Sequence, residues 1–549
     1  MRTTIAAVIF GGGIAAAALY GGRAVEAADR PLPSPDGERL FTSVLQMVAK
    51  KYVDSLPTDS LYRKAVSGML REVGDPYTVF LSGDRMRRLN DRMRGNYDGI
   101  GVTIDVRDGW VTIVAPIPGS PAARAGLQPG DRIVEIEGKS TLGWTTDEAN
   151  STMRGVAGAT VQLVIERFGV GQRLPVTLTR EVVRMRSVQH ASVLDDGIGY
   201  VDCKLFGERT ADELRAAIDS LRGVGMKRLV LDLRSNPGGL LDQGVKVADL
   251  FLDPEQAIVT TRGRTLESYR RFDDSLSQRW PDLPVVVLVD RGSASASEIV
   301  AGALQDHDRA LVIGTPTYGK GSAQSLFQLE GGGALKVTTA RWFTPAGRSI
   351  AREPMDEEGH SRGAAARDTD DDDADSSAVG DSVPALPRYR TDGGRVVVGG
   401  GGIVPDVEVR DSMVFIGRAL SRELGRDVLP FRDAIARVAL MERDAVKAGP
   451  TAFVVTERQH ELVWKELQTR RVPIDRSRFQ QIAAYVDRWL GYELARVAFG
   501  PDAEFRRRAD DDVALARARA VLRDARSPAS VLASADSQAT ANAPVPSLR

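Results

Sequence analysis

The sequence predicts a multidomain α+β protein, in which an α/β core is interrupted by a compact β-rich module and flanked by helical regions at both ends. Three observations predict it. Between residues 198 and 339, short apolar runs of strand length alternate with segments of helical period. Between residues 95 and 181, strand candidates follow one another through glycine and proline turns. Before about residue 90 and beyond about residue 411, apolar side chains recur at helical spacing.

A chain of 549 residues is long enough for several domains and ample core. Its formal charge of −1 implies no general affinity for nucleic acid or other polyanions. The single cysteine, Cys203, excludes an intramolecular disulfide and a cysteine-built metal site. It stands in an apolar run and reads as a buried structural thiol.

Residues 1–28 read as an address. Arg2 precedes an uncharged run of small and apolar residues, followed by Arg23 and a small-residue stretch ending in Ala27-Ala28. This fits a secretory signal cleaved after Ala27 or Ala28. The run is also close to the ~20 residues of a membrane span, which fits an uncleaved signal anchor. Both readings put the body outside the cytoplasm, periplasmic or secreted, and the second attaches it to the membrane. Residues 29–94 open with a proline-rich linker and continue as helices. Leu40, Val44, Leu45, Val48 and Tyr52 share one helical face; Leu61, Ala65, Met69 and Leu70 share another. No catalytic residue is expected there, only packing, dimer contacts or gating.

The β-rich module occupies residues 95–183. Gly99-Ile100-Gly101-Val102 opens it, turns follow at Pro118-Gly119, Gln128-Pro129-Gly130 and Glu137-Gly138, and a helix covers 146–153. GIGV, SPAARAGLQPGDRIVEIEG and the late helix, in that order, resemble a PDZ domain. The resemblance implies that the backbone N–H groups of Gly99, Ile100, Gly101 and Val102 cradle a peptide carboxylate while the peptide adds as a strand to the sheet edge. Ala149 and Met153 would line the pocket for the last side chain. The partners implied are protein or peptide substrates with free C-termini, or an adaptor or activator protein. The GxGxxG order of a dinucleotide site is absent.

The α/β core occupies residues 184–411. Its strands include 198–203, 229–233, Val285–Val289 and 310–313, with helices between them. One strand ends in Arg234-Ser235-Asn236-Pro237-Gly238-Gly239, a bare turn able to offer an oxyanion donor from Gly238 or Gly239, with the amide of Ala296 as the other. After Val285–Val289 the chain turns through Ser293, Ser295 and Ser297 into a helix, where Ser297 is a candidate cap and Glu298 lies in the first turn. Small residues around Ser295 leave room for a substrate backbone, and the helix aims its positive end there.

Serine needs a base. His307 lies on the same helix beside Asp306 and Asp308, and an element running away from the turn swings back poorly, so it reads as a solvated helix-end histidine. Lys320, between two glycines, is the better candidate, because burial in a tight turn lowers a lysine pKa. If an extended segment starts at Lys320, Gln324 shares its face. SASASEIVAGALQD followed by TYGKGSAQ resembles the nucleophile and lysine segments of the C-terminal processing (tail-specific) serine peptidases. The segments GMLREVGDPYTVFLS, DLRSNPGG, WFTPAGRSI and GIVPD fit the same family. By that resemblance Ser295 is the nucleophile, Lys320 the general base and Gln324 the lysine-orienting residue. Asp306 matches an acidic position that some members place near the site. The implied reaction is endoproteolysis near a C-terminus through an acyl-enzyme, with no metal or organic cofactor. A catalytically silent PDZ-bearing adaptor is the competing class; retention of Ser295, Lys320 and Gln324 together argues against it.

In relatives the WFTPAGRSI and GIVPD segments lie close together, so residues 352–398 read as an insertion. Its run from Asp368 to Asp375 is acidic and poor in apolar residues, which predicts a disordered, solvated loop rather than a calcium site. Residues 412–525 read as an appended helical domain suited to docking, homo-oligomerisation or a partner. The Ser/Ala/Pro-rich tail, 526–549, is expected to be disordered.

Overall fold

The structure, a computed structural model, describes residues 35–539 apart from 195, 331–332 and 353–385. The address at 1–28, the acidic run 368–375 and the last ten residues of the tail lie outside the described residues.

The core is a six-stranded sheet in the order Val188–Val193, Ile198–Cys203, Arg228–Asp232, Val285–Val289, Leu311–Gly314 and Val407–Glu408. The first pair is antiparallel and the others are parallel. Every residue of Ile198–Cys203 and of Val285–Val289 is buried, as expected of parallel strands covered on both faces. Helices Thr210–Gly223, Leu241–Asp249 and Ala296–Asp306 contribute to the cover of one face. The other face packs on the late helix Val513–Leu522, whose Leu515, Ala518 and Leu522 join Tyr200, Val230, Val286 and Leu288 in one apolar cluster. Cys203 is free and buried, and burial pushes its thiol up to about 12.

A second sheet ties the two ends of the core together. Strand Val79–Leu81 pairs antiparallel with Ala334–Phe343, whose other edge takes Ser322–Gln328. The β-rich module is therefore an insertion in this body. Its neck is the antiparallel pair Asn96–Gly99 and Glu181–Arg184, one residue inside the expected first boundary and one beyond the expected last. Its main sheet is antiparallel with Val102–Arg107 at one edge. Helix Thr146–Met153 carries a capping box between Thr145 and Glu148.

Two expectations are corrected. Residues 528–539 form a helix with Val531 buried, so the tail is ordered well past residue 526. The end of the insertion is a β-hairpin, Arg388–Arg390 with Val396–Val398. Val397 is buried there, and Arg395 forks to Asp308 and Asp406, each at 2.6 Å. The acidic composition upstream hid these few apolar and pairing residues.

The C-terminal helices Ser412–Leu424, Val428–Lys447, Glu457–Thr469, Arg476–Gln481 and Ala483–Phe499 enclose a core of their own. The last two of these are separate helices, broken at Ile482. This domain also grips the β-rich module: Asp108 pairs with Arg470, while Arg437 lies over the Phe168 ring at 4.5 Å.

Candidate active site

The nucleophile turn is built by its own side chains. Asp290 Oδ1 accepts from the N–H groups of Ser235, Gly292 and Ser293 at 2.8, 2.8 and 3.1 Å, closing the turn onto the neighbouring 234–239 turn. The buried Ser293 hydroxyl donates to the Leu233 carbonyl at 2.7 Å. Asn236 binds both turns: its carbonyl accepts from Ala294 N–H and from the Ser297 hydroxyl, each at 3.0 Å, and its amide donates to the Cys203 carbonyl at 2.9 Å. Ser297 is thus inside helix Ala296–Asp306, and Ser295 is the N-cap, two residues before the expected cap.

Ser295 sits at φ 56° and ψ −114°, a conformation that costs a non-glycine residue about 1–3 kcal/mol. The surroundings hold it there, and such strain is common where a nucleophile must stand clear of its helix. Ser295 keeps partial exposure between the buried Ala294 and Ala296.

Glu298 joins the nucleophile to the lysine. It is fully buried, and one oxygen, Oε2, accepts from Ser295 N–H at 2.7 Å and Lys320 N–H at 3.0 Å. The two backbone nitrogens are therefore within about 6 Å of each other. Its Oε1 accepts from the Thr317 hydroxyl and Gly319 N–H, each at 2.6 Å. Burial raises the Glu298 pKa, against the lowering effect of these hydrogen bonds. Sequence reasoning placed Glu298 only in the first helical turn, whereas the Ser-x-x-Glu spacing from Ser295 carried the capping-box signal.

Lys320 is half-buried, and its pKa is pushed down to about 8, first by loss of water and then by the Lys336 ammonium. Glu298 and Asp75 pull the other way. Gln324 makes no hydrogen bond to Lys320 among the described residues. The strand begins at Ser322, so Lys320 and Gly321 precede the extended segment; its register with Ala334–Phe343 shifts between Ala323 and Gln324, where Thr339 of the neighbouring strand is skipped. The Gln324 amide donates to Ser322 Oγ at 2.9 Å and Thr338 Oγ1 at 3.3 Å.

The oxyanion candidates separate. Gly238 N–H already donates to Asn236 Oδ1 at 2.9 Å, which removes it as a free donor. Gly239 N–H and Ala296 N–H have no hydrogen-bond acceptor among the described residues. Gly238 instead supplies closeness: at φ +88°, a Cβ there would stand 2.7 Å from Ser295 Cβ and 2.5 Å from the Ala294 carbonyl oxygen.

Asp306 lies at the far end of the nucleophile helix, ~15 Å along the axis from Ser295. It is buried, pairs with the buried Arg348 and accepts from Ala346 N–H at 2.9 Å. That holds the 342–350 segment rather than the reacting groups. His307 is not solvated: its Nδ1 meets Asp392 and its Nε2 the Ala257 carbonyl, both at 2.7 Å. Both ring nitrogens are engaged away from Ser295.

In the β-rich module, the Ile100 carbonyl accepts from Ala122 N–H at 2.9 Å, and the Gly101 carbonyl from Ile117 N–H and the Ser120 hydroxyl, each at 2.9 Å. Trans peptide planes then turn the N–H groups of Gly101 and Val102 the opposite way. Ala149 and Met153 are buried with Ile100 and Val102 in the module core. Among the described residues no group of His, Cys, Asp and Glu is placed to hold a metal ion.

Residues 197–358 match Peptidase family S41, and residues 112–167 match the PDZ domain. A carboxy-terminal-processing protease of Bartonella bacilliformis is 40% identical over 314 residues, 56% of this chain and 71% of that protein. The chain belongs to peptidase family S41. It is a serine-type peptidase with a PDZ domain ahead of its S41 domain. The carboxy-terminal processing protease CtpA of Bacillus subtilis is 34% identical over 308 residues, 56% of this peptidase and 65% of that one. Among solved structures, a photosystem II D1 C-terminal processing protease is 30% identical, covering 57% of this chain and 90% of its own, with a TM-score of 0.35. The C-terminal helices of this S41 peptidase lie beyond both family matches.

Proposed function

We propose that this S41 peptidase is an endopeptidase that cleaves protein substrates near their C-termini by a Ser295–Lys320 acyl-enzyme mechanism. The observation that carries the reading is the single buried carboxylate, Glu298, bonded to the backbone of both Ser295 and Lys320. Neutral Lys320 accepts the Ser295 proton as Oγ attacks the scissile carbonyl. The N–H groups of Ala296 and Gly239 receive the oxyanion. As the tetrahedral intermediate collapses, Lys320 returns the proton to the departing amine. Water then attacks the acyl-enzyme with Lys320 as base again, restoring Ser295.

The PDZ domain recognises a free C-terminus of the substrate, or of an adaptor or activator protein, through the loop Gly99–Val102 and the edge strand Val102–Arg107. The pattern of residues 1–28 supports an extracytoplasmic body, cleaved free or anchored at its N-terminus. A homo-oligomer is supported by helix Pro35–Lys51, which exposes Leu40, Phe41, Val44 and Met47.

The test is cleavage of an unfolded protein with an apolar C-terminus by the parent, Ser295→Ala and Lys320→Ala across a pH series. Parent kcat/KM is expected to rise with pH through a midpoint near about 8, because the base works deprotonated. Each variant should lose about a thousandfold or more. Cleavage that survives Lys320→Ala sinks the mechanism. Amidating the substrate C-terminus should weaken binding to the PDZ domain; equal binding sinks that assignment.

A further inference from the structure

The Lys320 amine faces a side chain from the opposite end of the catalytic body. Its Nζ lies 4.7 Å from the centroid of the Tyr77 ring. The Tyr77 hydroxyl donates to that of Tyr318, two residues before Lys320, at 3.3 Å. A short, well-tied segment delivers the ring. Asp75 accepts from Tyr77 N–H at 3.0 Å and from the Thr78 hydroxyl at 2.5 Å. Thr78 Oγ1 in turn accepts from Thr338 N–H at 3.1 Å, and Val79 pairs with Lys336 in the second sheet.

We infer that Tyr77 is a positioning residue for the general base: its ring shields the Lys320 amine from water and fixes its direction, so that the segment ahead of the PDZ domain completes the active site. The inference rests on the Ser295–Lys320 reading above.

Two effects of the ring oppose each other. Its π face attracts an ammonium ion, which favours protonated Lys320. Excluding water disfavours the ammonium. Burial is the largest influence on Lys320, whose pKa falls to about 8, and the Tyr77 ring is part of what covers the amine. The other charged groups acting on the amine are Lys336, which lowers its pKa, and Glu298 and Asp75, which raise it. With the ring gone, water and the two carboxylates would both favour the ammonium. Burial and the bond to Tyr318 raise the Tyr77 phenol pKa far above neutral, so Tyr77 stays a neutral hydroxyl and is not itself a base. Tyr318 is half-exposed, and its bond to Tyr77 places the ring and the lysine turn in one unit.

The test is the pH profile of kcat/KM for the full chain and for Lys320→Ala, Tyr77→Ala, Tyr77→Leu and Tyr77→Phe, with thermal unfolding of each. Tyr77→Ala is expected to move the midpoint up by about one pH unit, a roughly tenfold loss of neutral base below it. Tyr77→Phe keeps the ring and should restore a midpoint within about half a unit of the parent. Tyr77→Leu retains part of the cover and replaces the alanine variant should that fail to fold; it too should shift the midpoint upward. An unchanged midpoint in a folded Ala or Leu variant, with Lys320→Ala inactive, overturns the role of Tyr77 and leaves the Ser–Lys pair standing. Activity in Lys320→Ala overturns both.

Discussion

At the scale of single residues, Glu298 does what neither the serine nor the lysine can do for itself. Four donors, two flanking the nucleophile and base and two in the 317–319 turn, converge on one buried carboxylate. Removing it leaves several buried donors unpaired at about 1–3 kcal/mol each. Glu298→Ala is therefore expected to lower stability by several kcal/mol and to abolish cleavage, read from thermal unfolding and kcat together. Glu298→Gln keeps the shape but sets an amide N–H₂ among donors, so it should lose more than tenfold in kcat with a smaller drop in stability. A parental kcat in folded Glu298→Gln would show that the site does not need this charge. Gly238→Ala is the steric counterpart. A methyl group 2.7 Å from Ser295 Cβ at positive φ must displace the nucleophile, and a loss of about a hundredfold in kcat is expected from misplacement alone. Ser295, Lys320 and Gly239 were legible as candidates because serine, lysine and a bare glycine turn are chemically conspicuous in the sequence. Asn236, Glu298 and Tyr77 were not, because each acts through backbone groups or a ring face whose partners lie far away in the chain.

At the scale of elements, strand and helix positions in the core followed from apolar runs of strand length alternating with helical period, and the structure keeps that order. What sequence spacing could not supply was register. The register with the neighbouring strand shifts between Ala323 and Gln324, and the Gln324 amide, expected to hold the Lys320 ammonium, bonds to Ser322 and Thr338. Helix Ala296–Asp306 shows a second limit. Its two ends carry acidic residues of similar appearance, yet one end holds the site and the other holds the 342–350 segment through the Asp306–Arg348 pair. Breaking a buried pair from one side strands the other charge, at about 3–5 kcal/mol. Asp306→Ala should thus lower the unfolding temperature sharply, and the double variant Asp306→Ala/Arg348→Leu should lose less than the sum of its single variants. Additive losses would mean the two side chains act independently.

At the scale of the whole molecule, the insertion of one domain into another was readable, since motifs before and after the β-rich module fit a single body. The second cover of the core sheet was not readable. Helices beyond residue 411 looked like an appendage, but Val513–Leu522 lies on Tyr200, Val230, Val286 and Leu288. Arg234 also bonds to Asp512 at the start of that helix, at 3.0 Å. Truncation after residue 411 should expose this apolar face and give an insoluble or aggregated protein rather than a smaller active one. A soluble, active truncation would show that the late helices are dispensable to the catalytic body.

That placement has a consequence for how the protein comes into being. A chain is made from its N-terminus, so the strands of the sheet exist long before the helix that covers their rear face. Strand Val79–Leu81, next to Tyr77, likewise precedes its partner Ala334–Phe343 by the PDZ domain and most of the core. Tyr77 is made first, Ser295 and Lys320 follow close together past the midpoint, and the last cover arrives almost at the end. A nascent chain therefore holds every residue of the candidate site before the sheet that carries it is covered on both faces, and the finished fold waits on the last helices.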